Sequence, residues 1–201
     1  GAWKWAEAIC GLVGTLTEEL VDADAMAKDS KTEIRVLSAI LKQYQQLLTD
    51  ENLIDFAKIQ TECYRLLKEN PAILSDLQEK IHYLMIDEYQ DTNYIQEQII
   101  FMLGEKHGNI CVVGDDDQGL YRFRGATIRN ILEFPHKFKD GACKIIPLTV
   151  NYRSNSDIVD FYNEWISTTD GAKFKFEWKN FRYPKHIVPF KHTDMNSKAV
   201  V

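Results

Sequence analysis

Between Gly14 and Gly104 the chain contains no glycine, and its first proline is Pro71. A stretch so free of breakers is confined mainly to helices, with strands only where the apolar pattern turns short and continuous. Up to residue 80 the pattern is helical. Ile34, Leu37, Ile40, Leu41, Tyr44 and Leu48 recur at helical spacing and predict a helix over Thr32 to Leu48. A second helix is expected from about Asp55 to Lys68, with Phe56, Ile59, Cys63, Leu66 and Leu67 inward. Asn70-Pro71 ends it, because a residue before proline avoids the α region. Ala72 to Gln78 forms a shorter helix.

After residue 80 the pattern alternates. Ile81 to Ile86 is a short apolar run that reads as a buried strand, and Ile95 to Leu103 as a helix capped by Asn93. Ile110 to Val113 is a second strand, with Cys111 as core, ending in Gly114. Thr127 to Phe134 is helical and is followed by Pro135. Lys144 to Val150 reads as a third strand and Ser156 to Ile166 as a helix. Strands joined by helices imply an α/β fold with a parallel sheet. The tail from Thr168 onward carries more lysine, aromatics and proline, with apolar residues too scattered for a core. There is no internal repeat.

Composition excludes some function classes. The net charge of −6 argues against an all-over basic nucleic-acid binder, though not against a local cationic groove. Four cysteines, Cys10, Cys63, Cys111 and Cys143, lie far apart with no C-x-x-C pair, which points to reduced thiols and no zinc site. No apolar stretch approaches a membrane span and the start GAWKWAEAIC lacks a signal-peptide layout, so the expected location is cytoplasmic.

The chemistry gathers at the strand ends. The first strand stops in Asp87-Glu88, an acidic pair that is costly at the tip of a buried strand unless something outside the sheet needs it. Open α/β sheets bind ligands at that edge. The plain alternative is a solvated strand-to-loop turn. Nucleotide hydrolysis needs one carboxylate for Mg²⁺ and another to orient or deprotonate the attacking water, and Asp87 and Glu88 could divide those roles. Tyr121 and Phe123 alternate with Arg122 and Arg124, an interleaving suited to stacking bases while guanidinium groups attend the backbone of single-stranded DNA. Asp115, Asp116 and Asp117 read first as a turn cap and solvated acids. A second metal and two-metal nuclease chemistry is the lower-ranked alternative.

Three clusters, IDEYQDTN (86–93), VVGDDDQGLYRFRGA (112–126) and LTVNYRS (148–154), stand in this order at the three expected strand ends. Together they resemble motifs II, III and IV of the UvrD/Rep/PcrA type of superfamily 1 DNA helicases. LIDFAKIQTECYRLLKENPAIL is similar to the helical segment that family places ahead of motif II. The resemblance is strong over roughly residues 40–166 and weaker at both ends. It implies that Asp87 holds magnesium, with Glu88 as a second metal residue and as the water-activating base. It implies that Gln118 senses the γ-phosphate, Tyr152 stacks on adenine and Arg153 is an arginine finger. Tyr121, Phe123 and Arg124 would contact DNA. Phe123 stands where the family usually has tryptophan, and Gly119 where it has serine.

No G-x-x-x-x-G-K-[ST] occurs in the sequence, so no phosphate-cradling loop with its lysine is present. The resemblance therefore implies an internal piece of a helicase. Residues 1–80 would be a helical, insertion-like part of the first motor domain, 81–167 the second half of a RecA-like (P-loop NTPase type) ATPase domain, and 168–201 a tail toward the second motor domain. The intact parent would use ATP and Mg²⁺ to move 3′ to 5′ on single-stranded or partly duplex DNA, with the rest of its own chain as partner and no membrane. This piece alone would be inactive. The alternative is a non-catalytic DNA- or protein-binding module derived from a helicase.

Overall fold

The computed structural model describes residues 2–119, 127–139, 141–168, 183 and 185–191. They fall into two compact units, residues 1–131 and 132–201. The first begins with five helices: α1 (Ala2–Glu18), α2 (Ala23–Met26), α3 (Thr32–Asp50), α4 (Phe56–Glu69) and α5 (Pro71–Lys80). Strand β1 (Leu84–Ile86), helix α6 (Tyr94–Gly104) and strand β2 (Ile110–Val112) follow, then the short α7 (Arg129–Glu133), whose last two residues fall in the second unit. The second unit holds β3 (Val150–Asn155), α8 (Ser156–Thr168) and β4 (Val188–Lys191).

The expected helices form where their end signals stand. Asp55 caps α4 by accepting from Lys58 N at 2.6 Å, and Pro71 opens α5. Asn93 and Gln96 make a reciprocal capping box at the start of α6. In α3 the expected stripe faces inward, with Leu41 and Leu48 buried. Helix α4 is rotated from expectation by one residue, about 100° of helix. Its packed side carries Ala57, Gln60, Tyr64 and Leu67, whereas Phe56, Ile59, Cys63 and Leu66 are exposed, Phe56 at 85%. The rotation is held by Asp55 at the cap and by Gln60, whose Oε1 accepts from Asn93 Nδ2 at 2.7 Å.

Strands β1 and β2 pair in parallel, with Leu84 opposite Ile110 and Ile86 opposite Val112. Helix α6 covers one face at Gly104, where an added Cβ would lie 2.5 Å from Ile110 Cδ1 and 3.3 Å from Leu84 Cδ1. The other face bears Met85 and Cys111, both exposed. The strand expected over 81–86 is thus only three residues long and one-sided, and Cys111 is not core. The third strand is also displaced. Residues 144–149 have no regular structure, and β3 begins at Val150 and pairs in parallel with β4, not with β1 or β2. The architecture is a mixture of helices and small parallel sheets. Among the described residues no helix is long and apolar enough to cross a membrane.

Candidate functional site at the strand ends

The chain leaves β1 at Ile86, and the next two residues, Asp87 and Glu88, are exposed. Asp87 Oδ1 accepts from Glu88 N at 2.9 Å. Glu88 is left-handed, at φ 50° and ψ 44°. Among the described residues two other non-glycine residues share that region, Leu20 and Asn52, and both close helices. Each is followed by a return bond to the helix, from Val21 N to Leu16 O and from Leu53 N to Leu48 O. Glu88 closes no helix. It sits between a strand and a single 3-10 turn (Tyr89–Asp91), in a conformation that costs about 1–2 kcal/mol.

What holds it there is polar and buried. Tyr89 N donates to Val113 O at 2.9 Å, tying the turn to the end of β2. The Tyr89 side chain is fully buried and its hydroxyl donates to Glu97 Oε1 at 3.1 Å. Burial, then the Glu97 charge, push that hydroxyl far above the usual tyrosine range. Thr92 Oγ1 donates back to Tyr89 O at 2.7 Å. Asn130, also buried, donates from Nδ2 to Thr92 O, Thr92 Oγ1 and Asn93 O, each at 3.2 Å. Burial and the nearby Glu88 charge raise the Asp91 carboxyl above the ordinary range.

The end of β2 meets this turn through Gln90, which is 1% exposed. Its Nε2 donates to Glu88 Oε2 at 2.7 Å and its Oε1 accepts from Asp115 N at 3.0 Å. Gly114 makes room for it, since a Cβ there would lie 2.5 Å from Gln90 Oε1 and 2.8 Å from Ile131 Cδ1. Asp115 caps the 3-10 turn Asp116–Gln118, accepting from Asp117 N on Oδ1 at 3.0 Å and from Gln118 Nε2 on Oδ2 at 2.7 Å. The structure therefore connects Glu88 to Gln118 by way of Gln90 and Asp115. The three aspartates place one carboxylate oxygen each within 4.8 Å of one another; Asp115 serves as the expected cap, whereas Asp116 is buried and not the solvated acid expected. Tyr121, Arg122, Phe123 and Arg124 lie outside the described residues.

In the second unit, Asn151 Oδ1 accepts from Arg153 N at 2.9 Å and from Ser154 N at 2.8 Å. Asn151, Tyr152, Arg153 and Ser154 line one hollow. The Tyr152 ring is exposed and lies 4.9 Å from that of Phe190. Arg153 is exposed, and its guanidinium makes no ion pair with the described residues.

Chemically, the first site offers two solvent-facing carboxylates at a strand end and one exposed amide, Gln118, fixed behind them. An all-oxygen set of this kind suits a hard divalent cation such as Mg²⁺, and exposed Asp87 fits that role. Sequence reasoning missed Gln90 and Asn130. The only signal was position: Gln90 stands two residues beyond Glu88, within reach of its carboxylate once the turn forms.

A family model described as the UvrD/REP helicase N-terminal domain matches residues 3–139. The ATP-dependent DNA helicase PcrA of Bacillus subtilis (strain 168) is 34% identical over 171 residues, which are 85% of this chain and 23% of that protein. PcrA of Staphylococcus epidermidis (strain RP62A) is 35% identical over 169 residues, and PcrA of Staphylococcus aureus (strain Mu50) is 34% identical over 169. Both alignments cover 84% of this chain and 23% of the relative. The chain thus spans about a quarter of the length of these relatives.

Proposed function

The chain belongs to the UvrD/REP helicase N-terminal domain family, and from that premise we propose that it is part of the motor of an ATP-dependent 3′-to-5′ DNA helicase. On this reading residues 81–167 are the second half of a RecA-like domain, residues 1–80 its helical insertion, and 168–201 the passage toward a second motor domain. The protein works in the cytoplasm on single-stranded or partly duplex DNA, in repair or replication.

The observation that carries the proposal is Glu88. An exposed carboxylate is held in a left-handed conformation by a buried polar scaffold and is bonded through Gln90 to the turn bearing Gln118. Backbone strain of this kind persists where the surroundings over-determine it, and it clusters at functional sites. Asp87 would hold Mg²⁺, which supplies charge neutralisation on the phosphates when bound. Glu88 orients the attacking water and accepts its proton. Gln118 reads the γ-phosphate through its amide. Tyr152 offers an exposed ring to adenine, and Arg153, with no carboxylate partner among the described residues, is available to neutralise charge on the transferred phosphoryl. Tyr121, Phe123 and Arg124 contact DNA on this reading.

Two measurements test it. The full-length protein carrying this chain should hydrolyse ATP in a DNA-stimulated, Mg²⁺-dependent manner, and Arg153→Ala should cut turnover far more than nucleotide affinity. This chain alone, without a phosphate loop, should bind Mg²⁺-ATP no tighter than millimolar by titration calorimetry. A full-length protein with no ATPase activity but intact DNA affinity would instead make it a binding module.

A further inference from the structure

We propose that Gln90 is a positioning residue that makes the water-activating carboxylate and the γ-phosphate sensor one mechanical unit; this rests on the reading of Glu88 and Gln118 given above. The motor reading assigns roles to Asp87, Glu88 and Gln118 separately, and none to Gln90. The geometry joins them. One buried amide spends its donor on Glu88 Oε2 at 2.7 Å and its acceptor on Asp115 N at 3.0 Å. Asp115 in turn holds Gln118 Nε2 at 2.7 Å.

Several features show that this is a built arrangement. Gln90 is 1% exposed, so its amide cannot exchange these partners for water. Gly114 keeps the space that Gln90 Oε1 fills, because any Cβ there would lie 2.5 Å from it. The bond to Glu88 runs to an exposed carboxylate in a strained backbone conformation, which would otherwise sample several rotamers. When Gln118 shifts to meet a phosphate, its pull on Asp115 passes through Gln90 to Glu88. The aim of the base is then coupled to the position of the sensor. Gln90 touches neither water nor phosphate in this scheme, and acts through Glu88 and Asp115.

The test uses the full-length protein. Gln90→Ala should lower kcat for ATP at least ten-fold while KM changes less than two-fold, because base aim and not nucleotide binding is lost. Gln118→Ala should also lower kcat, and the double variant should be no slower than the slower single one, since both act along one path. Gln90→Met keeps the length of the side chain and loses both bonds. It should be as slow as Gln90→Ala, and it serves in its place if that variant does not fold. Hydrogen exchange by mass spectrometry should show peptides covering 113–119 exchanging faster in Gln90→Ala than in wild type, with the rest unchanged. Multiplicative losses in the double variant, or a Gln90→Met protein with wild-type kcat, would overturn the proposal. Absence of ATPase activity in the wild-type protein would instead overturn the motor reading, and the exchange result would still report whether Gln90 holds the two turns together.

Discussion

The turn after β1 and the outer stripe of α4 invert the usual relation between polarity and burial. Tyr89, Gln90, Thr92, Asn93, Glu97 and Asn130 are all buried, and most of that group is polar. Phe56, Ile59, Cys63 and Leu66 are apolar and exposed, earlier in the same unit. Apolar surface gains by leaving water wherever a partner is offered, so its burial depends on what lies opposite. A buried polar group costs free energy unless it finds hydrogen-bond partners, so its burial depends on specific partners, and in this group Asn130 Oδ1 lacks one among the described residues. The polar turn is therefore the more exactingly specified of the two, and it is the part that backs Asp87 and Glu88.

The largest effect should follow from breaking the polar side. Asn130→Ala removes three bonds to the backbone and side chain of Thr92 and Asn93 and should destabilise the chain by about 1–3 kcal/mol, read by chemical denaturation. A loss under half a kilocalorie would mean the turn holds itself without α7.

Next is Tyr44, whose hydroxyl donates to Asp55 Oδ2 at 2.7 Å on the residue that caps α4. That bond, then burial, push the Tyr44 hydroxyl up to about 12. The folded chain thus holds this proton more tightly than the unfolded chain, where tyrosine titrates near about pH 10. The stabilisation is complete below that pH and is lost as pH rises toward 12. Tyr44→Phe should cost about 1 kcal/mol at pH 7, with the difference from wild type shrinking as the pH passes 10. A difference constant across that range would remove Asp55 as the cause.

Glu88→Gly should be more stable than Glu88→Ala by about 1 kcal/mol, because both lose the bond from Gln90 and only glycine accepts φ 50° without strain. Equal stability of the two variants would show that the conformation is not strained. The smallest effect is expected on the apolar side. Phe56→Ser should change the melting midpoint by less than about 0.5 kcal/mol equivalent, since the ring is 85% exposed. A large loss would mean the ring is covered in solution.

The same contrast explains what the sequence could tell. Helix ends were legible because their signals are local: Asp55, Asn70-Pro71 and Asn93 act on their own neighbours. The inward face of α3 was legible because its apolar stripe has one choice of side. In α4 two stripes at helical spacing compete, one residue apart, and the packed one is the less apolar, with Gln60 bonded to Asn93. Periodicity cannot weigh a hydrogen bond to a residue 33 positions away. Likewise the acid pair Asp87-Glu88 was visible as chemistry at a strand end, but its support was not. Gln90 and Asn130 look like ordinary turn and helix residues until the fold brings Asp115, Thr92 and Asn93 to them. The strand expected at 144–150 failed for a similar reason, since β3 takes its register from β4, whose first residue is 38 positions beyond its own.

The claim that matters most is that this buried scaffold exists to aim Glu88 at a phosphate-attacking water. Glu88→Gln in the full-length protein tests it directly, because the amide keeps the shape and can still accept from Gln90 while losing the basicity that takes the proton. ATP affinity within two-fold of wild type, with DNA-stimulated turnover reduced by about 100-fold or more, is the expected result. Turnover within a few-fold of wild type would contradict it, and would leave the strained carboxylate without a chemical role.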